Sequence, residues 1–364
     1  MRDVHHPPQY ALPALDQSVS VCNNQFVGRK VMIVMKKGIV LLCSLTLLTS
    51  SAAAIPAAAE KNYVYTVEQT GRILQITAED MIRELQGAGV SQEEITSFFK
   101  EVSEQIGAQD SLTEENFDSI MFRTLYQTLQ NGSYNNLKIA MISLYSEEMS
   151  QMLSTKTVPE VFQPLYQTVK ACLLGTGELQ VFSDVPEHHW AKSAIEVLAA
   201  DGIVNGMGSR LFLPDDSVTR EQFVKMAADC LGLEPSDAPL PFTDANPSAW
   251  YAPSLAAACK AGLISGVSDD LFGVEQPITR QDMAVIVARI LEQNQVTVSK
   301  TSNAFAAFTD ATLVDGYAKE AVRLLSDGGL MAGVGADRFA PLELVTRAQA
   351  ARMIDQMRQA MNTK

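Results

Sequence analysis

The chain has 364 residues, room for two or three ordinary domains, and its 47% hydrophobic content supplies a core without the composition of a disordered protein. A formal charge of -14 and a pI near 4.8 exclude a nucleic-acid binder built on a basic stripe. Any anionic partner has to be held by local cations.

The first readable element is Met35-Lys36-Lys37, followed by the apolar run Gly38 to Leu48 and then by small residues ending Ala57-Ala58-Ala59. A basic start, a short apolar run and an A-x-A site predict a secretory signal peptide over residues 35–59. Cleavage is expected after Ala59, with Ala54 as the alternative, and the run is too short to span a bilayer as a helix. Residues 1–34 precede the usual beginning of such a signal, so translation is expected to start at Met35. Removal of residues 1–59 takes away five basic and two acidic residues and leaves 23 against 40, a formal charge of -17. Three cysteines are left, Cys172, Cys230 and Cys259, and the apolar helical patterns around the last two predict buried free thiols rather than a disulfide framework.

Residues 60–175 read as a bundle of four or five helices. Capping signals at Thr77 to Asp80 and Ser91 to Glu94 open two of them, and Ile95, Phe98, Phe99 and Val102 fall on one face of the second. Further helical runs cover 116–130, 136–153 and 161–174. No catalytic constellation stands out in this part.

The rest is an internal repeat. FSDVPEHHWAKSAIEVLAADGIVNG with LFLPDDSVTREQF, FTDANPSAWYAPSLAAACKAGLISG with LFGVEQPITRQDM, and FTDATLVDGYAKEAVRLLSDGGLMAG with RFAPLELVTRAQA follow one plan. Trp190, Trp250 and Tyr317 each precede a glycine by twelve residues, the length of one helix closed by a left-handed glycine. Gly206, Gly266 and Gly333 precede Phe212, Phe272 and Phe339 by six, and those precede Arg220, Arg280 and Arg347 by eight. Each unit is therefore helix, glycine turn, short extended segment and capped helix. Two helices of this size cannot bury their apolar faces alone, so the three units should pack together.

The recurrence of F-x-D, W-A-x-x-A-I, G-I-V-N-G, F-x-P and T-R-x-x at fixed offsets resembles three S-layer homology repeats, over 182–233, 242–293 and 308–361. The resemblance implies a pseudo-threefold, mainly helical module of two-helix repeats with short extended segments, which together with the helical bundle read from 60–175 makes a mainly α fold. It also implies non-covalent attachment of a secreted protein to secondary cell-wall polysaccharide, often through pyruvylated sugars, with ligand in grooves between repeats near the arginine. The chain departs from the family pattern in several places. Gln222, Asp282 and Gln349 stand where a glutamate is usual, Tyr317 replaces a tryptophan, and Gly273-Val274 replaces the Leu213-Pro214 of the first unit, which points to one or two degenerate grooves.

The arginines pose a physical question. Thr219, Thr279 and Thr346 read as helix caps, which puts Arg220, Arg280 and Arg347 in the first turn, where the helix dipole disfavours a cation by roughly 0.3–1 kcal/mol. A salt bridge to Asp184, Asp244 or Asp310 is one explanation. The preferred one is a carboxylate site, an arginine fork beside exposed helix N–H groups. Trp190, Trp250 and Tyr317 could stack on a sugar ring, but core packing is the expected main role. Gly206, Gly266 and Gly333 are expected at positive φ, with close ligand approach as the secondary reading. Asp184, Asp244 and Asp310 are expected to cap the first helix or the entry turn.

His188-His189 lacks further ligands, and no metal, cofactor or phosphate motif appears. The expected partner is a pyruvylated secondary cell-wall polysaccharide, with no nucleic acid and no transmembrane span after signal cleavage. Two other readings stay open: a wall hydrolase with its active part in 60–175, and self-association of that bundle in a surface layer.

Overall fold

A computed structural model describes residues 31–35, 39–43, 65–109, 111–155, 157–175, 179–335 and 337–362 of the chain. They form two units, one ending at Ala53 and the other beginning at Ala54. In the first, strands β1 (Val31–Met35) and β2 (Ile39–Cys43) pair antiparallel in the register Val31 to Cys43 through Met35 to Ile39. The sequence reading assigned no strand here, although VMIVM has the branched residues a strand favours. The expected cleavage positions, Ala54 and Ala59, lie outside the described residues.

The second unit is mainly helical. Its first part holds α1 (Val67–Thr77), α2 (Glu79–Gly87), α3 (Gln92–Gly107), α4 (Glu114–Gln130), α5 (Asn135–Leu144), α6 (Ser146–Thr155) and α7 (Gln163–Leu174). Its second part holds α8 (Lys192–Ala200), α9 (Arg220–Cys230), α10 (Ala252–Lys260), α11 (Arg280–Gln293), α12 (Ala304–Ala307), α13 (Lys319–Asp327) and α14 (Arg347–Asn362). Ser91 caps α3 as expected, accepting from the Glu94 N–H at 3.1 Å. Thr77 does not cap: it is buried at the end of α1, its hydroxyl donates to the Ile73 carbonyl at 3.1 Å, and Ala78 begins α2 without a side-chain cap. The true cap upstream is Thr66, in a reciprocal box with Gln69. The run over 136–153 is two helices, broken at Tyr145. This ring is buried against Phe162, and its hydroxyl bonds the Glu84 carboxylate.

Two apolar clusters make the core. One is built from α1 to α7, around Leu74, Ile95, Phe117 and Val169. The other is built from the three repeats and also takes Ile73 of α1 and Cys172 of α7. Adjacent residues of α1 thus point into different clusters. Polar contacts fasten the same seam: Gln69 Nε2 donates to Asp201 Oδ1 at 2.7 Å, Arg72 Nη1 to the Ala200 carbonyl at 3.2 Å, and the Arg210 N–H to Glu79 Oε2 at 3.1 Å. Cys172 is buried and Cys230 and Cys259 half-buried, all as free thiols, and burial pushes the Cys172 thiol up to about 12.

The three repeats meet around a closed triangle of backbone hydrogen bonds. The Val218 N–H donates to the Val345 carbonyl at 2.9 Å, Val345 to Ile278 at 2.9 Å, and Ile278 to Val218 at 3.0 Å. Just outside it, the first amide of each capped helix donates to a carbonyl of the next repeat in the cycle: Arg220 to Gln276, Arg280 to Glu343 and Arg347 to Asp216. The helix ends that an anion would need are therefore largely occupied by protein.

Because Ile73 is fully buried where the two parts meet, Ile73→Ala should cost about 2–5 kcal/mol. Both tryptophans lie in the repeats, so denaturant unfolding followed by tryptophan fluorescence and by helical circular dichroism checks the coupling. The two midpoints should fall together; a drop confined to the circular dichroism signal would show that α1 belongs to the N-terminal part alone.

Candidate functional site

Each arginine reaches out of its own repeat. Arg220 donates from Nε to the Phe272 carbonyl at 3.0 Å and from Nη2 to the Ser265 carbonyl at 3.3 Å. Arg280 does the same to Phe339 (2.9 Å) and Ala332 (2.8 Å), and Arg347 to Phe212 (2.7 Å) and Asn205 (2.9 Å). Each guanidinium also lies over the ring whose carbonyl it holds, at 5.1, 5.0 and 4.6 Å from the centroid. Two charge-assisted hydrogen bonds at about 1.5–3 kcal/mol each, with a cation–π contact of about 0.5–2, outweigh a dipole cost of roughly 0.3–1 kcal/mol. The alternative explanation, bridges to Asp184, Asp244 and Asp310, is not what is seen: carbonyls of the neighbouring repeat take that place. Burial pulls all three guanidinium groups below their ordinary pKa. The clasp uses two of the five guanidinium N–H groups, and among the described residues no hydrogen-bond or ion-pair partner holds Nη1 in Arg280 or Arg347.

The aspartates hold the extended segment rather than a helix. Asp184 accepts from the Phe212 and Leu213 N–H groups at 2.8 and 2.7 Å, and Asp310 from Phe339 and Ala340 at 2.8 and 2.7 Å. Asp244 accepts from Phe272, Gly273 and Val274, three bonds that outweigh the upward push of burial and keep its carboxyl below the usual range. The residue after each phenylalanine has positive φ: Leu213 +57°, Gly273 +86°, Ala340 +57°. A non-glycine residue there costs on the order of 1–2 kcal/mol. Gly273, a departure at sequence level, is thus the unstrained residue of the three.

Gly206, Gly266 and Gly333 are not at positive φ, contrary to expectation. Space makes them glycine: an added Cβ at Gly266 would lie 2.3 Å from the Leu271 carbonyl and 2.8 Å from the Phe242 ring, and at Gly333 2.5 Å from the Arg338 carbonyl and 2.6 Å from the Phe308 ring. At Gly206 it would meet the Leu211 carbonyl and the Phe182 ring, both at 3.0 Å. The positive φ belongs to the helix-closing glycines Gly202, Gly262 and Gly329.

The aromatic expectation is also corrected. Trp190, Trp250 and Tyr317 are 60, 58 and 62% exposed, so they are not core residues. They stand just before α8, α10 and α13, and His189 stacks on Trp190 with centroids 5.5 Å apart. One contact between three repeats is seen in detail. Tyr317 Oη donates to Asp282 Oδ1 at 2.8 Å and accepts from Gln281 Nε2 at 3.0 Å, while Arg220 Nη1 lies 3.8 Å from Asp282 Oδ2. Arginine, first-turn polar residue and exposed aromatic of three different repeats therefore meet. Sequence reading missed Gln281 and Asp315, which bond each other here through Gln281 Nε2 to Asp315 Oδ2 at 2.6 Å; their departure from the other two repeats was the available signal. No group of three metal-binding side chains occurs among the described residues, and no described helix is long and apolar enough to cross a membrane.

Comparison with known proteins places the same three segments in one family. Residues 181–224, 241–284 and 307–351 match the model of the S-layer homology domain. The exoglucanase XynX of Acetivibrio thermocellus is 34% identical over 174 residues, 48% of this chain and 16% of that protein. The amylopullulanase of Thermoanaerobacterium thermosulfurigenes is 34% identical over 176 residues, 48% and 9%. An S-layer protein of Bacillus thuringiensis subsp. finitimus is 30% identical over 174 residues, 48% and 21%. The chain thus spans about a fifth or less of the length of these relatives.

The glycine geometry has a direct check. Gly266→Ala forces its methyl against two backbone carbonyls, at 2.3 and 2.4 Å, and should destabilise the repeats by about 1–3 kcal/mol or more. Gly232→Ala, at a left-handed position with open space, should cost only about 1–2 kcal/mol from backbone strain alone. Equal unfolding midpoints for the Gly266 variant and the parent would refute the packing explanation.

Proposed function

With three S-layer homology domains in the chain, we propose that it is a secreted envelope protein held non-covalently at the bacterial cell wall through a secondary cell-wall polysaccharide. The observation that carries this reading is the threefold recurrence of an exposed aromatic, Trp190, Trp250 and Tyr317, at the same place in each repeat. A large aromatic left in water three times at equivalent positions suits a flat apolar ligand face such as that of a sugar ring. The guanidinium N–H groups left over from the clasp, on Arg280 and Arg347 above all, suit a carboxylate substituent, and a pyruvyl ketal carries one. The strongly negative chain repels an anionic polymer at long range, so recognition is short-ranged and its salt dependence moderate. The signal peptide over 35–59 delivers the protein to that surface.

For the N-terminal helices a structural or interaction role is favoured over hydrolysis. Between them lies a cavity of about 80 Å³ lined only by apolar atoms, from residues such as Met81, Phe99, Met121 and Met152, where a hydrolase would need two poised carboxylates. The enzyme activities in the relatives' names stay with those proteins. Self-association through these helices is the interaction reading.

Equilibrium binding of the chain to purified cell-wall polysaccharide, before and after its pyruvyl groups are removed, tests the proposal. Trp190→Ala and Trp250→Ala should each weaken binding about tenfold, ~1.4 kcal/mol, with little change in the unfolding midpoint because both rings are exposed. Equal binding after depyruvylation overturns the carboxylate assignment, and full-strength binding by the double variant overturns stacking.

A further inference from the structure

The three grooves are not chemically equivalent, and the difference lies at the third residue of each capped helix. In α9 and α14 this residue is Gln222 or Gln349. Each turns back to its own cap, accepting the Thr219 N–H at 3.1 Å or the Thr346 N–H at 3.3 Å. Neither brings a charge into the groove. In α11 it is Asp282, one methylene shorter, and among the described residues it makes no such return bond. Its carboxylate accepts the hydroxyl of its own cap, Thr279, through Oδ2 at 2.7 Å and also reaches both neighbouring repeats: Oδ2 lies 3.8 Å from Arg220 Nη1, and Oδ1 accepts the Tyr317 hydroxyl at 2.8 Å.

Three further departures from the repeat pattern meet Asp282 here, and each completes another. The tyrosine that replaces tryptophan supplies the hydroxyl for Asp282. Gln281, where the other repeats have Glu221 and Ala348, bridges that hydroxyl to Asp315. Asp315 in turn takes the place of His188 and Ser248, two residues before the aromatic. The guanidinium nitrogen of Arg220 that takes no part in clasping the next repeat, Nη1, thus already lies beside a carboxylate, and that carboxylate belongs to the protein.

Resting on the anchoring reading above, we propose that Asp282 is a built-in substitute for the ligand's carboxylate. It latches the groove of Arg220, Asp282 and Tyr317 in a self-neutralised state, so that the chain offers two grooves, not three, to an anionic sugar. The open pair are the cyclic counterparts, Arg347 with Gln222 and Trp250, and Arg280 with Gln349 and Trp190. A second carboxylate entering the latched groove would meet like charge within a few ångströms, which disfavours its ionised form.

Isothermal titration of the full chain with a 4,6-O-pyruvyl methyl hexopyranoside reads the number of sites. The parent should take up two equivalents, and Asp282→Gln, which copies the other repeats, should take up three. Three equivalents in the parent, or two in the variant, overturns the latch as the cause. If neither protein binds the sugar at any site, the anchoring reading is what fails, and the latch is then judged without ligand. In a double-mutant cycle of Tyr317→Phe and Asp282→Asn, the effects on the unfolding equilibrium should be coupled by about fivefold or more; additive effects overturn it.

Discussion

A guanidinium laid across the boundary between repeats is the contact on which the second half of the molecule depends. The extended segment after each glycine turn buries a phenylalanine, and two carbonyls, that of the phenylalanine and that of the residue before the glycine, look to the neighbouring repeat for a donor. The arginine of the preceding repeat supplies what is missing: a flat cation over the ring and two donors for the carbonyls. The aspartate of the F-x-D motif does the complementary work from within the repeat, accepting the N–H groups of the same segment. Each segment is thus held between an acid of its own unit and a base of its neighbour. Opening the clasp without exposing its partners would leave desolvated carbonyls on one side and an unpaired buried cation on the other, both more costly than the strain at Leu213 or Ala340.

This arrangement explains why part of the design is readable along the chain and part is not. Helix lengths, the closing glycines and the constant interval from glycine to phenylalanine to arginine are local periodicities, so they appear directly in the sequence. The arginine at a helix start was visible as an anomaly, yet its partners lie some 45 to 142 residues away along the chain, beyond any local spacing rule. The tryptophans were misjudged because a large aromatic at a helix start is usually interior. Here the preceding loop and the helix carry the interior contacts instead. Gly206 and its counterparts were read through the common reason for glycine, backbone freedom, whereas the cause is a ring and a carbonyl pressed against the Cα. Thr77 shows the same limit in the N-terminal part: the capping pattern was there, but Thr66 one helix earlier had already set the start.

The N-terminal helices are not a separate bead on a tether. α1 divides its face between two apolar clusters, and the Glu79 carboxylate caps a backbone amide in the loop of the first repeat, beside the carbonyl that Arg347 holds. Whatever the helices bind is therefore presented in a fixed orientation to whatever the repeats bind.

The triangle of Val218, Ile278 and Val345 has a further consequence. Open arrays of stacked units can lengthen or shorten by whole copies, since each unit contacts only its neighbours and leaves two free ends. Here the last unit donates to the first through Arg347 and accepts from it through Val345, so the series has no free end. A fourth copy could dock only where one of the three clasps had been opened. Closure is thus a property of the contact geometry itself, and an added single copy would have to break it.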